Sequence, residues 1–368
     1  MMRTNFAGLI LESPLIVSSG PATWSGEAMG TCMRFGAGAV VTKTIVERPR
    51  LNPRPRIVIR GDGMQNIELY TEHTVQRWGQ EIAIAKERGA IIIASIMGYS
   101  TDEVVRLADK VQEYGVDALE LGISCPHGNN GCTVGADPEL AMTYTKMLVG
   151  HASVPVIVKL SPNVTDISQV AKAVEAGGAN AISAIDTVRC LIGVDIGSGK
   201  PLLPTYGGYS GPAIKPIALA CVASIASCVQ IPVSGIGGIV KAGDALEHMM
   251  LGASTFQLCT GIIWKGFELI SEINRDLELW LEKNGYSRPD EVVGKALPYL
   301  VPFEEIQLHD LVAWVNAEKC NGCQRCLSCV YSAVEFREGK VIVNPEICTG
   351  CGACVYLCSV QAIAMREA

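Results

Sequence analysis

Eight short runs of consecutive apolar residues recur between residues 15 and 260: LIVSS (15–19), AVVTKT (39–44), IIIASI (91–96), ALELGIS (118–124), VIVKLS (156–161), AISAID (181–186), PVSGIG (232–237) and TFQLCT (255–260). Apolar side chains on successive positions predict parallel strands buried on both faces, because a solvated face would alternate with polar residues. Most of the gaps carry a helical period instead. DEVVRLADKVQEYG (102–115) and DISQVAKAVEAGG (166–178) repeat their apolar residues every three or four positions, the stripe of an amphipathic helix. Eight such alternations predict an α/β fold, a (β/α)8 TIM barrel, with a doubly wound open sheet as the alternative. Residues 262–285 are expected to form a closing helix, and KNGYSRPDEVVGKALPYLVPFEEI (283–306) a connector punctuated by Pro and Gly. The expected domains are residues 1–309, barrel with connector, and residues 310–368, a small cysteine-rich α+β module.

A barrel places its active groups at the C-terminal ends of its strands. Those ends carry Ser18, Ser19 and Gly20; Lys43 and Thr44; Ser124 and Cys125; Lys159; Asp186 and Thr187; SGIGG; and Cys259, Thr260 and Gly261. A lysine ending an apolar strand and aimed into a barrel mouth is costly unless it meets an anion, so Lys43 and Lys159 point to an anionic ligand; a solvated rim charge is the alternative for each. SGIGGI (234–239), with Gly235, Gly237 and Gly238, and CTGI (259–262) end the seventh and eighth strands. Barrel phosphate sites form from those two loops, although a tight turn is the plainer reading of either alone. No G-x-G-x-x-G follows an early strand, which argues against a nicotinamide site.

Composition narrows the picture further. A 49% hydrophobic fraction favours a well-buried fold over disorder, and a net charge of −7 argues against nucleic-acid or anionic-membrane binding. The opening run FAGLILESPLIVSSG is broken by Glu12 and Pro14, so neither an export leader nor a membrane span is expected, and a cytoplasmic location is. Of 15 cysteines, eight crowd into residues 320–358, as Cys320, Cys323, Cys326 and Cys329, then Cys348, Cys351, Cys354 and Cys358. C-x2-C-x2-C triplets with a crossed fourth ligand are the spacing of two-cluster bacterial ferredoxins. By that rule Cys320, Cys323, Cys326 and Cys358 hold one [4Fe–4S] cluster, and Cys348, Cys351, Cys354 and Cys329 the other. Zinc, which favours two separated C-x2-C pairs, is the alternative. The first motif departs from the usual pattern in its x2 spacer before Cys329, and Val330 and Ser359 stand where proline is customary. Such clusters move single electrons, so the barrel needs a partner that turns them into two-electron chemistry, and flavin is the expected one.

VTKT (41–44), NIELY (66–70), ALELGISCPHG (118–128), VKLSPNVTDI (158–167), TYGGYSG (205–211), GKALPYL (294–300) and the twin cysteine motifs carry a resemblance over nearly the whole chain. The chain resembles the catalytic part of dihydropyrimidine dehydrogenase, within the FMN-dependent class 1 dihydroorotate dehydrogenases. The resemblance implies FMN in the barrel, two [4Fe–4S] clusters in a ferredoxin-like tail, and NAD(P)H oxidised on an FAD-bearing diaphorase partner. It makes Cys125 the general acid/base. The implied cofactor contacts are Ser19, Gly20, Lys43, Thr44, Lys159, Gly211, Gly235, Gly237, Gly238, Cys259, Thr260 and Gly261. The implied substrate contacts are Asn66, Ser124, Asp186 and Thr187, with the segment at 125–138 as a lid. His127 would orient that segment or a phosphate, Cys132 has no expected role, and a dimer or hetero-oligomer is implied. Two asparagines of the family pattern are Gly122 and Asp186 here, and a third corresponds to GYST around Ser100. Amides suit an imide edge because they both donate and accept, so the recognition surface is expected to differ, with Trp24 and Tyr99 available to fill or stack in it. The substrate is then a dihydropyrimidine or another conjugated ring carbonyl; an electron-transfer subunit without a substrate of its own is the remaining alternative.

Overall fold

The computed structural model describes residues 2–123 and 134–367. All eight apolar runs become strands of one closed parallel barrel: β1 (Leu15–Val17), β2 (Ala39–Val41), β3 (Ile92–Ile96), β4 (Ala118–Gly122), β5 (Val156–Leu160), β6 (Ala181–Ala184), β7 (Val233–Ile236) and β8 (Ala253–Leu258). Spatial order follows chain order, and β8 pairs with β1. That closure excludes the open doubly wound sheet.

The two faces of the strands serve different cores. Outward residues such as Leu15, Val17, Ile92, Ala94, Leu119 and Val158 pack against the helices in one cluster. The inward Ile16, Ala39, Val41, Ile93, Ala118, Ile157 and Ala181 form a second cluster with Phe6 and Leu11. Those last two belong to a hairpin, Thr4–Phe6 with Leu9–Leu11, that plugs the N-terminal end of the barrel. Fully burying a side chain such as Phe6 contributes on the order of 2–3 kcal/mol. Further along, the same inward-facing positions turn polar, with Ser95, Glu120, Lys159, Ser183, Ser234 and Gln257 all buried. The interior is thus apolar at one end and polar at the other, beneath the C-terminal mouth.

The helices form where their stripes demand. Thr101–Gln112 is capped by Ser100 and buries Val104, Leu107, Ala108 and Val111. Ile167–Ala176 is capped by Asp166 and buries Ile167, Val170, Ala171 and Val174. In each, a side-chain oxygen satisfies a backbone N–H that the first turn leaves without an intrahelical partner. The expected closing helix is two helices, Thr260–Lys265 and Glu268–Lys283. Gly266 separates them with a left-handed φ of 83°, a conformation only glycine adopts without strain.

Two long insertions break the strand–helix rhythm, after β2 and after β6. Together they build a four-stranded antiparallel sheet in the order Val188–Cys190, Gly207–Ser210, Gly63–Asn66, Ile57–Arg60. The chain divides into two compact units, Met1–Leu300 and Val301–Ala368. In the second, Leu311–Val315 pairs with Ile363–Glu367, Val334–Arg337 pairs with Lys340–Val343, and a short helix spans Ala353–Leu357. Among the described residues no helix is long and apolar enough to cross a membrane.

Candidate functional site

A cavity opens at the C-terminal mouth of the barrel, and most of the sequence-derived residues converge on it. Ser18, Ser19 and Gly20 follow β1, Lys43 and Thr44 follow β2, and Gly122 ends β4. Lys159 comes from β5, Asp186 and Thr187 from the turn after β6, Gly237 and Gly238 from the β7 loop, and Cys259, Thr260 and Gly261 from the β8 loop. The inserted sheet adds Asn66, with Gly211 just beyond its end.

Gly235 does not line the cavity. Strand alternation puts it on the outward face of β7, where an added Cβ would lie 2.6 Å from His248 Nδ1. Glycine there lets the His248 ring lie against the strand. Ser124, Cys125, His127 and Cys132 lie outside the described residues, as does most of the expected lid. Trp24 and Tyr99 are half-exposed and do not line this cavity, although Tyr99 lines a smaller hollow that also touches Gly122. Ser100 caps its helix by accepting from Glu103 N at 3.2 Å.

The cavity is strongly charged. Lys43 Nζ lies 3.2 Å from Glu68 Oε1, which also receives Arg56 Nε at 3.1 Å. Lys159 Nζ donates to Ser18 Oγ at 3.4 Å. Burial pushes the Lys159 ammonium down, but the carboxylates of Asp186 and Glu120, with Cys259, outweigh it and the net displacement is upward. Burial raises the Cys259 thiol to about 11 against the opposing pull of Lys159, so it stays protonated and neutral at physiological pH. Asp186 Oδ1 accepts from Thr187 N at 2.7 Å. Asn66 has both ends of its amide engaged by backbone, donating to Gly208 O at 3.2 Å and accepting from Glu68 N at 3.2 Å.

The loops after the seventh and eighth strands bring three glycines, Gly237, Gly238 and Gly261, to the same cavity. Gly237 and Gly238 have φ of 129° and 76°. A Cβ on Gly238 would come within 2.9 Å of the Lys215 backbone, and one on Gly261 within 2.8 Å of Ile239 O. Bare backbone meeting between the seventh and eighth loops is the cradle a phosphate needs, and two buried ammonium groups suit an electron-rich ring, so the cavity fits a flavin mononucleotide.

In the tail, one cavity is lined by Cys320, Cys323, Cys326 and Cys358, and a second by Cys329, Cys348, Cys351 and Cys354, with Cys326 also on its wall. Among the described residues no three His, Cys, Asp or Glu converge on a point as ligands of a single ion do; the thiols ring hollows instead, an arrangement that fits a cubane. Burial, and then the neighbouring Cys320, Cys323 and Cys354, push the Cys326 thiol up, a crowding of potential anions that iron would relieve. Backbone N–H groups of Ala313 and Ala362 lie 3.4 and 3.2 Å from Cys348 and Cys358 Sγ, contacts of the kind that tune cluster potentials.

Glu68 and Gln257 line the cavity and Glu120 lies beneath it, yet sequence reasoning singled out none of them. Their signal was a polar residue at an alternate position of an apolar strand, as in ALELG and TFQLC, or two places beyond Asn66 in NIELY.

Comparison with known proteins agrees with this geometry. A family described as dihydroorotate dehydrogenase matches residues 1–281, and one described as 4Fe-4S binding domain matches residues 341–364. The catalytic subunit of dihydroorotate dehydrogenase B (NAD(+)) from Thermoplasma volcanium is 38% identical over 80% of this chain and 98% of its own length. The corresponding Pyrococcus abyssi subunit is 38% identical over 81% of this chain and 99% of its own. The NAD-dependent dihydropyrimidine dehydrogenase subunit PreA of Escherichia coli is 33% identical over 92% of this chain and 88% of its own length, so the likeness extends into the tail. The chain belongs to the dihydroorotate dehydrogenase family of oxidoreductases and carries a 4Fe-4S binding domain in addition.

Proposed function

We propose that this chain is an FMN- and iron–sulfur-dependent oxidoreductase that interconverts the C=C and CH–CH bond of a dihydropyrimidine or a related cyclic substrate. The cavity at the barrel mouth carries this reading: two buried lysines and a glycine cradle line it together, in a chain whose tail rings two hollows with thiols. Bound flavin supplies hydride transfer. Lys43, Thr44 and Lys159 would hold its ring, while Ser19, Gly20, Gly211, Gly237, Gly238, Cys259, Thr260 and Gly261 would hold the rest of it. Asn66, Ser124, Asp186 and Thr187 would orient the substrate. Cys125, three residues beyond β4, would give or take the proton, since a thiol with an ordinary pKa of about 8.5 is largely protonated at neutral pH. Two [4Fe–4S] clusters, ligated as the crossed spacing dictates, would exchange electrons with a diaphorase subunit. The E. coli relative is named as a subunit of an NAD-dependent enzyme, which supports such a partner. A reducing cytoplasm suits so many unpaired thiols.

A second reading keeps the chemistry and changes the ring. Among the described residues an added Cβ at Gly122 would meet atoms no closer than 3.5 Å, which leaves space that a side chain could occupy. Asp186, when ionised, offers acceptors alone. Anaerobically reconstituted protein assayed with an artificial donor on uracil, thymine, dihydroorotate and other conjugated ring carbonyls separates the two: fast uracil turnover establishes the first, and turnover of another ring by protein inert to those three establishes the second. Cys125→Ala is expected to lower turnover about 100- to 10,000-fold with flavin retained. Unchanged flux would instead make the chain an electron carrier and sink both readings.

A further inference from the structure

The barrel interior holds a carboxylate that the proposed chemistry leaves unused. Glu120, on the inward face of β4, has no exposed surface. Its Oε2 accepts a hydrogen bond from Ser183 Oγ at 2.8 Å, and its Oε1, equally enclosed, has no hydrogen-bond partner among the described residues. A buried carboxylate left so exposed to a low-dielectric interior is strongly disfavoured unless a cation compensates it.

Strand register supplies the cation. Ser183 is the direct neighbour of Lys159 across the β5–β6 pair, and Gly122, two residues beyond Glu120 on the same inward face, is its neighbour across β4–β5. Lys159 therefore stands one step nearer the mouth than Glu120, and it lines the cavity while Glu120 does not. Burial pushes the Lys159 ammonium down, and the carboxylate is among the groups, second to Asp186, whose attraction turns the net displacement upward.

We infer that Glu120 is a buried counter-charge to Lys159, alongside Asp186, and, through it, a positioning residue that holds down the reduction potential of a bound flavin. The inference rests on the flavin reading of the cavity. Reduction adds negative charge to the ring, a cation beneath it favours that charge, and a carboxylate behind the cation opposes it. Glu120→Gln keeps the shape and can still accept from Ser183, but removes the charge.

The test is a redox titration of the reconstituted full chain, following the flavin bands after subtraction of the cluster absorbance. Glu120→Gln is expected to raise the flavin potential by at least a tenfold change in the two-electron equilibrium, about 30 mV. Lys159→Met is expected to lower it, and adding Glu120→Gln to Lys159→Met to change it far less than in the wild-type background, the mark of a coupled pair. Should Glu120→Gln not fold, Glu120→Met, which likewise removes the charge, is expected to move the potential the same way. An unmoved potential in a variant with full flavin content overturns the inference. Wild-type protein that binds no flavin fails at the earlier reading, and flavin content measured alongside the titration tells the two failures apart.

Discussion

In Met1–Leu300 the outward faces of eight strands pack against a shell of helices, and the inward faces pack on a hairpin plug. In Val301–Ala368 the buried core is Ala313, Cys326, Val334, Val341 and Ile363, and the side chains around it include Cys320, Cys329, Cys348, Cys354 and Cys358. One unit is held by apolar area, the other by residues whose chemistry is to bind iron. A domain this small rarely gathers enough apolar burial to stand alone, and a metal commonly completes it. The comparison teaches that the cofactors have unequal structural duties: a flavin would fill a barrel that already has its core, whereas clusters would supply most of the tail's.

The largest expected effect follows directly. Removing iron with a chelator under reducing conditions, or replacing Cys326 and Cys354 by Ser, is expected to abolish amide-exchange protection across Leu311–Val315 and Ile363–Glu367. The thermal transition of the barrel should stay in place. A tail that keeps its protection without iron would break the comparison, because its few apolar residues would then suffice.

Within the barrel, effects should be graded and local. His248 is fully buried on the helix Ala242–Met250, and its Nε2 lies 3.0 Å from Gly237 O, clamping the cradle loop from behind. Its Nδ1 has no partner among the described residues. Burial lowers its pKa from 6.5 to about 4, against opposing contributions from the Gly237 carbonyl, Glu247 and Asp244. A depressed folded value means the unfolded chain binds the proton more readily. The stabilisation is therefore complete above pH 6.5 and is lost as pH falls toward 4, on the order of 3 kcal/mol for a shift of this size. Denaturant unfolding of wild type and His248→Phe across that range checks it: the difference between the two should narrow with acidity, and a constant difference would show that the ring is not held neutral.

What was legible in the sequence follows the same division. The eight strands declared themselves because burial on both faces leaves apolar residues on consecutive positions, and the cysteine triplets because ligation fixes spacing. The plug was illegible, since Thr4–Phe6 and Leu9–Leu11 are too short to show a period. The inserted sheet was illegible because Gly63–Asn66 and Gly207–Ser210 pair across 142 residues of chain and contain almost no β-branched or alternating pattern. Most strand-end residues were placed at the mouth by topology alone. A glycine-rich turn does not show which glycines face in, so the outward side of Gly235 could not be read from SGIGGI.

The smallest effects sharpen that last point, since Gly235 and Gly122 are both strand glycines with opposite reasons to be glycine. Gly235→Ala drives a Cβ to 2.6 Å from the His248 ring and 3.1 Å from Ala253 Cβ, so the helix must shift; a loss of about 1–3 kcal/mol is expected, with weaker flavin retention. Gly122→Ala meets Ile96 O at 3.5 Å and Met97 and Thr44 carbons at 3.9 Å, all ordinary contacts, and its backbone is not left-handed. Alanine also loses less chain entropy on folding than glycine, so stability should change by less than about 1 kcal/mol, in either direction. What should change is ligand affinity, because the new methyl enters the cavity. Thermal melts beside equilibrium binding of the best ring substrate decide it. A Gly122→Ala protein that melts early would show that the glycine is demanded by packing, and that the space at the end of β4 has no part in choosing the ring.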